Sequence, residues 1–87
     1  MPIWKLTPID LTDSNWLASS HRDLAIIRAP DETTARTVAE KAFALPLHFT
    51  PGSGVRVPPW MRPSLVKAEM IEDRRFDPAG PPEVLMP

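Results

Sequence analysis

Few residues of this chain have the side-chain chemistry of a catalytic or metal-binding site. Its 87 residues include two histidines, 11 Asp and Glu residues and no cysteine. A catalytic zinc site takes three protein ligands at a recognisable spacing, and His21 and His48 stand far apart without such a motif. The absence of cysteine excludes thiolate ligands, disulfides and a cysteine nucleophile. The sequence therefore predicts no metal site and no cofactor.

The other candidates for nucleophilic or acid–base chemistry are more typical of turns. Ser19 and Ser20 precede His21, but a serine nucleophile needs a strained turn and a base in fixed geometry, and no G-x-S-x-G motif occurs. Asp10 and Asp13 lie in a polar segment, where aspartates commonly bind backbone amides. Paired carboxylates act catalytically only in a partly dry pocket. We therefore predict that the protein is not an enzyme.

Tryptophan and arginine are the residue types here that best suit binding. Exposed tryptophan rings stack on single-stranded bases or anchor protein interfaces, while buried ones fill a small core. The net charge of −1 lacks the basic excess of duplex-binding domains, so nucleic acid is not favoured as a partner. The candidate binding residues are Trp4, Trp16, Trp60, Arg22 and Arg28, joined by Arg56 if the ligand is a single strand.

Alternating apolar and polar residues predict three strands that would position these side chains. They cover residues 3–9, 23–29 and 64–73, and the first two are expected to be antiparallel neighbours. A helix competes for residues 64–73, because Lys, Ala, Glu and Met favour helices. Two further short strands are compatible with residues 47–49 and 55–57. Residues 10–20 read as a loop or a single helical turn, with Trp16 and Leu17 packed against the sheet.

One amphipathic helix is predicted over residues 31–44. Asp31 is placed to cap its first turn, and Pro46 ends it, because the residue before a proline avoids the α region. Apolar residues recur at i, i+3, i+4, i+7 and i+8, which is the stripe of a helix packed on a sheet. The predicted inward residues are Ala35, Val38, Ala39, Ala42 and Phe43, and the predicted outward ones are Arg36, Glu40 and Lys41.

These elements predict a two-layer α+β fold, with one helix on a small, mainly antiparallel sheet in the order β-β-α-(β)-β. A single domain is expected over residues 1–73. Residues 74–87 hold four of the 12 prolines and are expected to form an extended, proline-rich tail. No apolar run is long enough to span a bilayer, and the lack of cysteine in so small a domain favours the cytoplasm.

Several short patterns are spread along most of the chain: WKLTPID at residues 4–10, Asp13-x-x-Trp16-x-x-Ser19, RAPDE at 28–32 with Ala35-Arg36, Pro59-Trp60, and GPP at 80–82. With these patterns the sequence resembles small bacterial proteins of unknown function. The resemblance implies no activity, and it implies a stand-alone cytoplasmic protein.

The predicted architecture leaves one face of the sheet without a helix. The loop around Trp16, the proline-rich tail or a second copy of the chain could each cover it. We therefore predict a non-enzymatic protein-interaction module, which binds a partner protein or forms a homodimer through that face or a sheet edge. The alternative is a weak single-stranded nucleic-acid-binding domain that uses the tryptophans and arginines.

Overall fold

The structure of the protein, a computed structural model, describes residues 1–44 and 58–87. The two short strands considered at residues 47–49 and 55–57, together with His48 and Arg56, lie outside the described residues. In chain order the elements are β1 (Ile3–Pro8), a first 3₁₀ helix (Ser14–Ala18), β2 (Ala25–Arg28), α1 (Glu32–Phe43), a second 3₁₀ helix (Pro59–Met61), β3 (Val66–Ile71) and β4 (Glu83–Met86).

The four strands form one antiparallel sheet in the order β3-β1-β2-β4. Trp4 in β1 lies opposite Ile27 in β2 and Met70 in β3. The prediction of an α+β fold with one helix on an antiparallel sheet is confirmed for the described residues. The predicted strand at residues 64–73 is also confirmed as β3, because its side chains alternate against β1 instead of forming a helical stripe.

The predicted strand order is wrong, because the segment predicted to be an extended tail supplies a fourth strand. The described chain runs β-β-α-β-β, and β4 pairs with β2 along the edge opposite β3. The sequence of residues 74–87 did not predict this strand, because its four prolines disfavour a regular strand. They flank Glu83–Met86 and do not interrupt it, so the run of Val84, Leu85 and Met86 can pair.

The helix α1 begins and ends where its sequence signals place it. The Asp31 carboxylate accepts a hydrogen bond from the Thr34 N–H at 2.7 Å, which lowers the pKa of Asp31. Ala35, Ala39 and Phe43 are buried as predicted, whereas Ala42 is exposed. The helix is therefore rotated relative to the predicted stripe.

Arg36 was predicted to point outward, and this is wrong. Its guanidinium is buried and donates to the carbonyl oxygens of Trp60 at 3.2 Å and of Val66 at 2.9 Å. Glu32 lies one turn before it, with a carboxylate oxygen 3.7 Å from the guanidinium. Arg36 thus links α1 to the second 3₁₀ helix and to the start of β3. Both terminal nitrogens of the guanidinium donate hydrogen bonds, whereas its buried Nε has no partner among the described residues.

The core lies between α1 and the sheet and is closed at one end by two tryptophans. Leu6, Ile27 and Val66 are fully buried from the sheet side. The Trp16 and Trp60 rings meet edge to face, with centroids 5.5 Å apart, an arrangement that aromatic pairs favour. Leu17 was predicted to pack against the sheet together with Trp16, but it is exposed.

Candidate partner-binding edge

The predicted binding residues do not form one exposed surface. Trp16 and Trp60 are 1% and 0% exposed, and the Trp60 indole donates to the Ser19 hydroxyl at 2.9 Å. Trp4 is half-buried and donates to the Ala29 carbonyl at 3.0 Å. Arg22 alone is exposed. The core interpretation of the tryptophans accounts for these contacts, because each buried or half-buried ring packs in the cluster between α1 and the sheet.

Arg28 holds the C-terminal segment on the sheet face opposite α1. Its side chain is buried, pairs with Glu83, and donates to the Asp77 carbonyl at 2.8 Å and the Pro81 carbonyl at 2.9 Å. Gly80 has φ +125°, and a Cβ there would lie 2.6 Å from the Arg28 guanidinium. The loop before β4 therefore closes around Arg28, and it covers this end of the second face with the chain itself.

Among the described residues, Ser19 and His21, which were weighed as a nucleophile and its base, make contacts that order the chain. The Ser19 hydroxyl donates to the backbone carbonyl of His21 at 2.6 Å, so it is not paired with the imidazole. The His21 ring lies against Phe43, with centroids 4.6 Å apart, and its Nε2 is 3.1 Å from the Leu24 carbonyl. The arrangement orders the chain between the first 3₁₀ helix and β2, and it provides no activated nucleophile.

The carboxylates near the N-terminus act as turn residues. Asp10 accepts from the Thr12 hydroxyl at 2.6 Å and from its backbone N–H, and these bonds lower the pKa of Asp10. Asp13 accepts from the Asn15 N–H at 2.8 Å and caps the first 3₁₀ helix. Within residues 1–44 and 58–87, no three His, Asp or Glu side chains are grouped so that they could hold a metal ion.

The sequence predicts binding at a face or an edge of the sheet but does not specify the edge. The outer edge of β3 is one of the two edges of the sheet. The Ile9 N–H donates to the Leu65 carbonyl at 2.9 Å, and residues 3–8 continue in register with residues 71–66. Because hydrogen-bonded and non-hydrogen-bonded pairs alternate in antiparallel strands, Lys67, Glu69 and Ile71 bond to β1. The N–H and C=O groups of Ala68 and Met70 therefore point away from the sheet.

These outward groups have no hydrogen-bond partner in the described part of the chain. At the start of the strand the edge is already occupied, since the Val66 N–H donates to the Arg62 carbonyl and Arg36 donates to the Val66 carbonyl. Among residues 1–44 and 58–87, the part of this edge without a hydrogen-bond partner is thus short and is centred on Ala68 and Met70. The Met70 side chain is 64% exposed, although it shares a face with the buried Val66.

The other sheet edge, on β4, is poorly suited to pairing. This strand has four residues, follows Pro81 and Pro82, and precedes Pro87. Its register with β2 shifts between Ile26 and Ile27. Short strands, neighbouring prolines and bulges are three of the means by which proteins prevent pairing at an edge, and charged side chains are another. Between Val66 and Ile71 the β3 edge carries none of the first three, and its charged side chains are Lys67 and Glu69.

An apolar groove of about 550 Å³ lies at the end of β3. Its wall includes the N-terminal segment and the loop that follows the strand. The apolar side chains that line it include Met1, Ile3, Met70, Ile71, Phe76 and Pro78. A further strand that paired with the outer edge of β3 and extended beyond Met70 would pass this groove.

Charged side chains surround the groove and the open edge. On the face opposite α1, the Lys67 ammonium lies 3.2 Å from the Glu69 carboxylate; the Lys67 side chain is largely exposed and that of Glu69 is half-buried. Beyond the strand, the Asp73 carboxylate accepts hydrogen bonds from the Arg75 guanidinium, which hold the pKa of Asp73 below its ordinary value. Arg75 also lies over the Phe76 ring, with 5.3 Å from the guanidinium carbon to the centroid.

Comparison with known proteins gives no match to a protein-family model, to a curated protein or to a solved structure. The helices in residues 1–44 and 58–87 are too short or too polar to cross a membrane.

Proposed function

We propose that the protein is a non-enzymatic interaction module, which binds an extended segment of another polypeptide along the outer edge of β3. The observation that carries this proposal is the pair of outward-facing backbone sites at Ala68 and Met70. An extended peptide would satisfy them by adding a strand to the sheet, a recurring mode of peptide recognition.

The groove at the end of β3 supports the same proposal. Backbone hydrogen bonds are insensitive to the partner's sequence, so a strand-adding site needs pockets for selectivity. The apolar groove beside Met70 and Phe76 is placed to take an apolar side chain of the bound segment. Met70 is exposed at this site, and its flexible thioether side chain adapts to differently shaped partners.

The test is a selection of random dodecapeptides displayed on phage against the immobilised protein, followed by affinity measurements with the selected synthetic peptides. We expect Met70→Pro to abolish binding, because proline removes the outward N–H of residue 70. Proline is tolerated at such an edge position, since that N–H makes no bond within the sheet.

The matched control is Met70→Val, which keeps the N–H and favours a strand. It should bind the selected peptides far better than Met70→Pro does. Circular dichroism should show that both variants are folded. Selected peptides that bind Met70→Pro as tightly as the unchanged protein would overturn the proposal, and so would a selection that yields no binder.

The alternative function, binding of single-stranded nucleic acid, receives no support from the described geometry. Stacking platforms need exposed rings beside cationic side chains. Trp16 and Trp60 are buried, and Arg28 is engaged with the C-terminal segment. It stays a prediction from the sequence.

A further inference from the structure

We infer that a second copy of this chain occupies the β3 edge, with the two β3 strands antiparallel about a two-fold axis that passes through Ala68. This inference rests on the proposed function, because it names the segment that adds to the edge. The two copies would form a continuous eight-stranded sheet in which each Ala68 exchanges its N–H and C=O with the other.

The order of charges along β3 is the reason for choosing a second copy. Lys67 and Glu69 flank Ala68 and project from the face opposite α1. A two-fold axis at Ala68 places each Lys67 directly opposite the Glu69 of the second copy. The result is a ring of four alternating charges, since each Lys67 already contacts its own Glu69. Opposite charges at directly facing positions stabilise paired strands.

Other two-fold registers are less favourable. An axis at Glu69 sets that carboxylate against its own copy, and like charges at facing positions destabilise the pair. An axis at Met70 sets Glu69 against Ile71 and pairs Ala68 with Glu72, which lies beyond the end of the strand. The axis at Ala68 alone matches opposite charges within the strand.

The register at Ala68 predicts a weak dimer. The Val66 N–H is already bonded to Arg62, so the main-chain pairing is confined to the centre of the strand. So short a pairing buries little surface, and interfaces of small area form weak, concentration-dependent complexes. Met70 of each copy would lie opposite Val66 of the other and lose part of its 64% exposure.

Sedimentation equilibrium over a wide range of concentrations tests the inference with two charge reversals and their combination. We expect Lys67→Glu and Glu69→Lys each to weaken dimerisation roughly tenfold, because two attractive pairs become repulsive in each dimer. The combined exchange, Lys67→Glu with Glu69→Lys, should restore the dimer, since the four charges alternate again.

An equimolar mixture of the two single variants should also form a heterodimer, since one then carries two acidic and the other two basic residues at these positions. A monomer at every concentration, or single variants that dimerise like the unchanged chain, would overturn the inference. If the chain is monomeric but selected peptides still bind it in a manner that Met70→Pro abolishes, this inference fails and the proposed function stands. If both experiments fail, both proposals fall.

Discussion

At the scale of single residues, burial changes the role that a residue type suggests. Arg28 and Arg36 look like surface or binding residues in the sequence, yet both are buried and bonded to backbone carbonyls. An arginine can be buried at modest cost when its planar donors meet several acceptors. The sequence does not reveal those acceptors, because each carbonyl lies on an element that is distant along the chain. Asp31, by contrast, was predictable, since its partner is three residues away.

Glu40 provides a prediction at this scale. Burial raises the pKa of Glu40, and one carboxylate oxygen has no hydrogen-bond partner among the described residues. An acid whose pKa is higher in the folded than in the unfolded state destabilises the fold once the pH exceeds the unfolded value. Glu40→Gln should therefore raise the free energy of unfolding at pH 7.

The gain should shrink as the pH falls and vanish below the ordinary pKa of a glutamate, where the carboxyl is protonated in both states. Urea denaturation between pH 3 and pH 7 measures it. The exposed Glu72→Gln is the matched control and should show no such trend. A Glu40→Gln variant that is less stable than the unchanged protein at pH 7 would contradict the account.

At the scale of elements, local patterns predicted α1 and the positions of β1, β2 and β3. Each of these carries its own periodicity, and α1 also carries a cap. The strand β4 was not predictable in this way, because four apolar or acidic residues between prolines have no periodicity of their own. Its pairing depends on a distant contact, the buried Arg28 that holds the preceding loop.

Replacement of this arginine should release β4 without unfolding the rest of the sheet. Arg28→Met removes donors to Asp77 and Pro81 and the pair with Glu83, so we expect opening of β4 to become easier by about 2 kcal/mol or more. In amide hydrogen exchange, the Ile26 amide should then exchange faster.

The control is Glu83→Gln, which keeps an acceptor for Arg28 and should have a smaller effect. A second variant, Gly80→Ala, should act in the same direction as Arg28→Met, because the added Cβ would crowd the guanidinium and φ +125° disfavours alanine. Uniform acceleration across the sheet in either variant would contradict a local role for Arg28.

At the scale of the whole molecule, the sequence predicts the two layers but neither the fourth strand nor the segment that covers the second face. One helix does cover one face of an antiparallel sheet. The second face is covered at one end by the segment between β3 and β4, which was one of the three expected covers. A sequence can show that a face needs covering, but which segment covers it depends on contacts between distant residues, such as those of Arg28. The same limit applied to the candidate site, because strand order decides which edge is open.

The most direct test of the open β3 edge is residue-resolved amide hydrogen exchange by NMR, made on the Lys67→Glu variant so that the two-fold pairing is disfavoured. The account predicts alternation along the strand: the amides of Lys67, Glu69 and Ile71 exchange slowly because they bond to β1, and those of Ala68 and Met70 exchange fast. Addition of a selected peptide should then slow the Ala68 and Met70 amides. Slow exchange of these two amides in the dilute, peptide-free variant would show that the edge is already paired, and it would contradict the account.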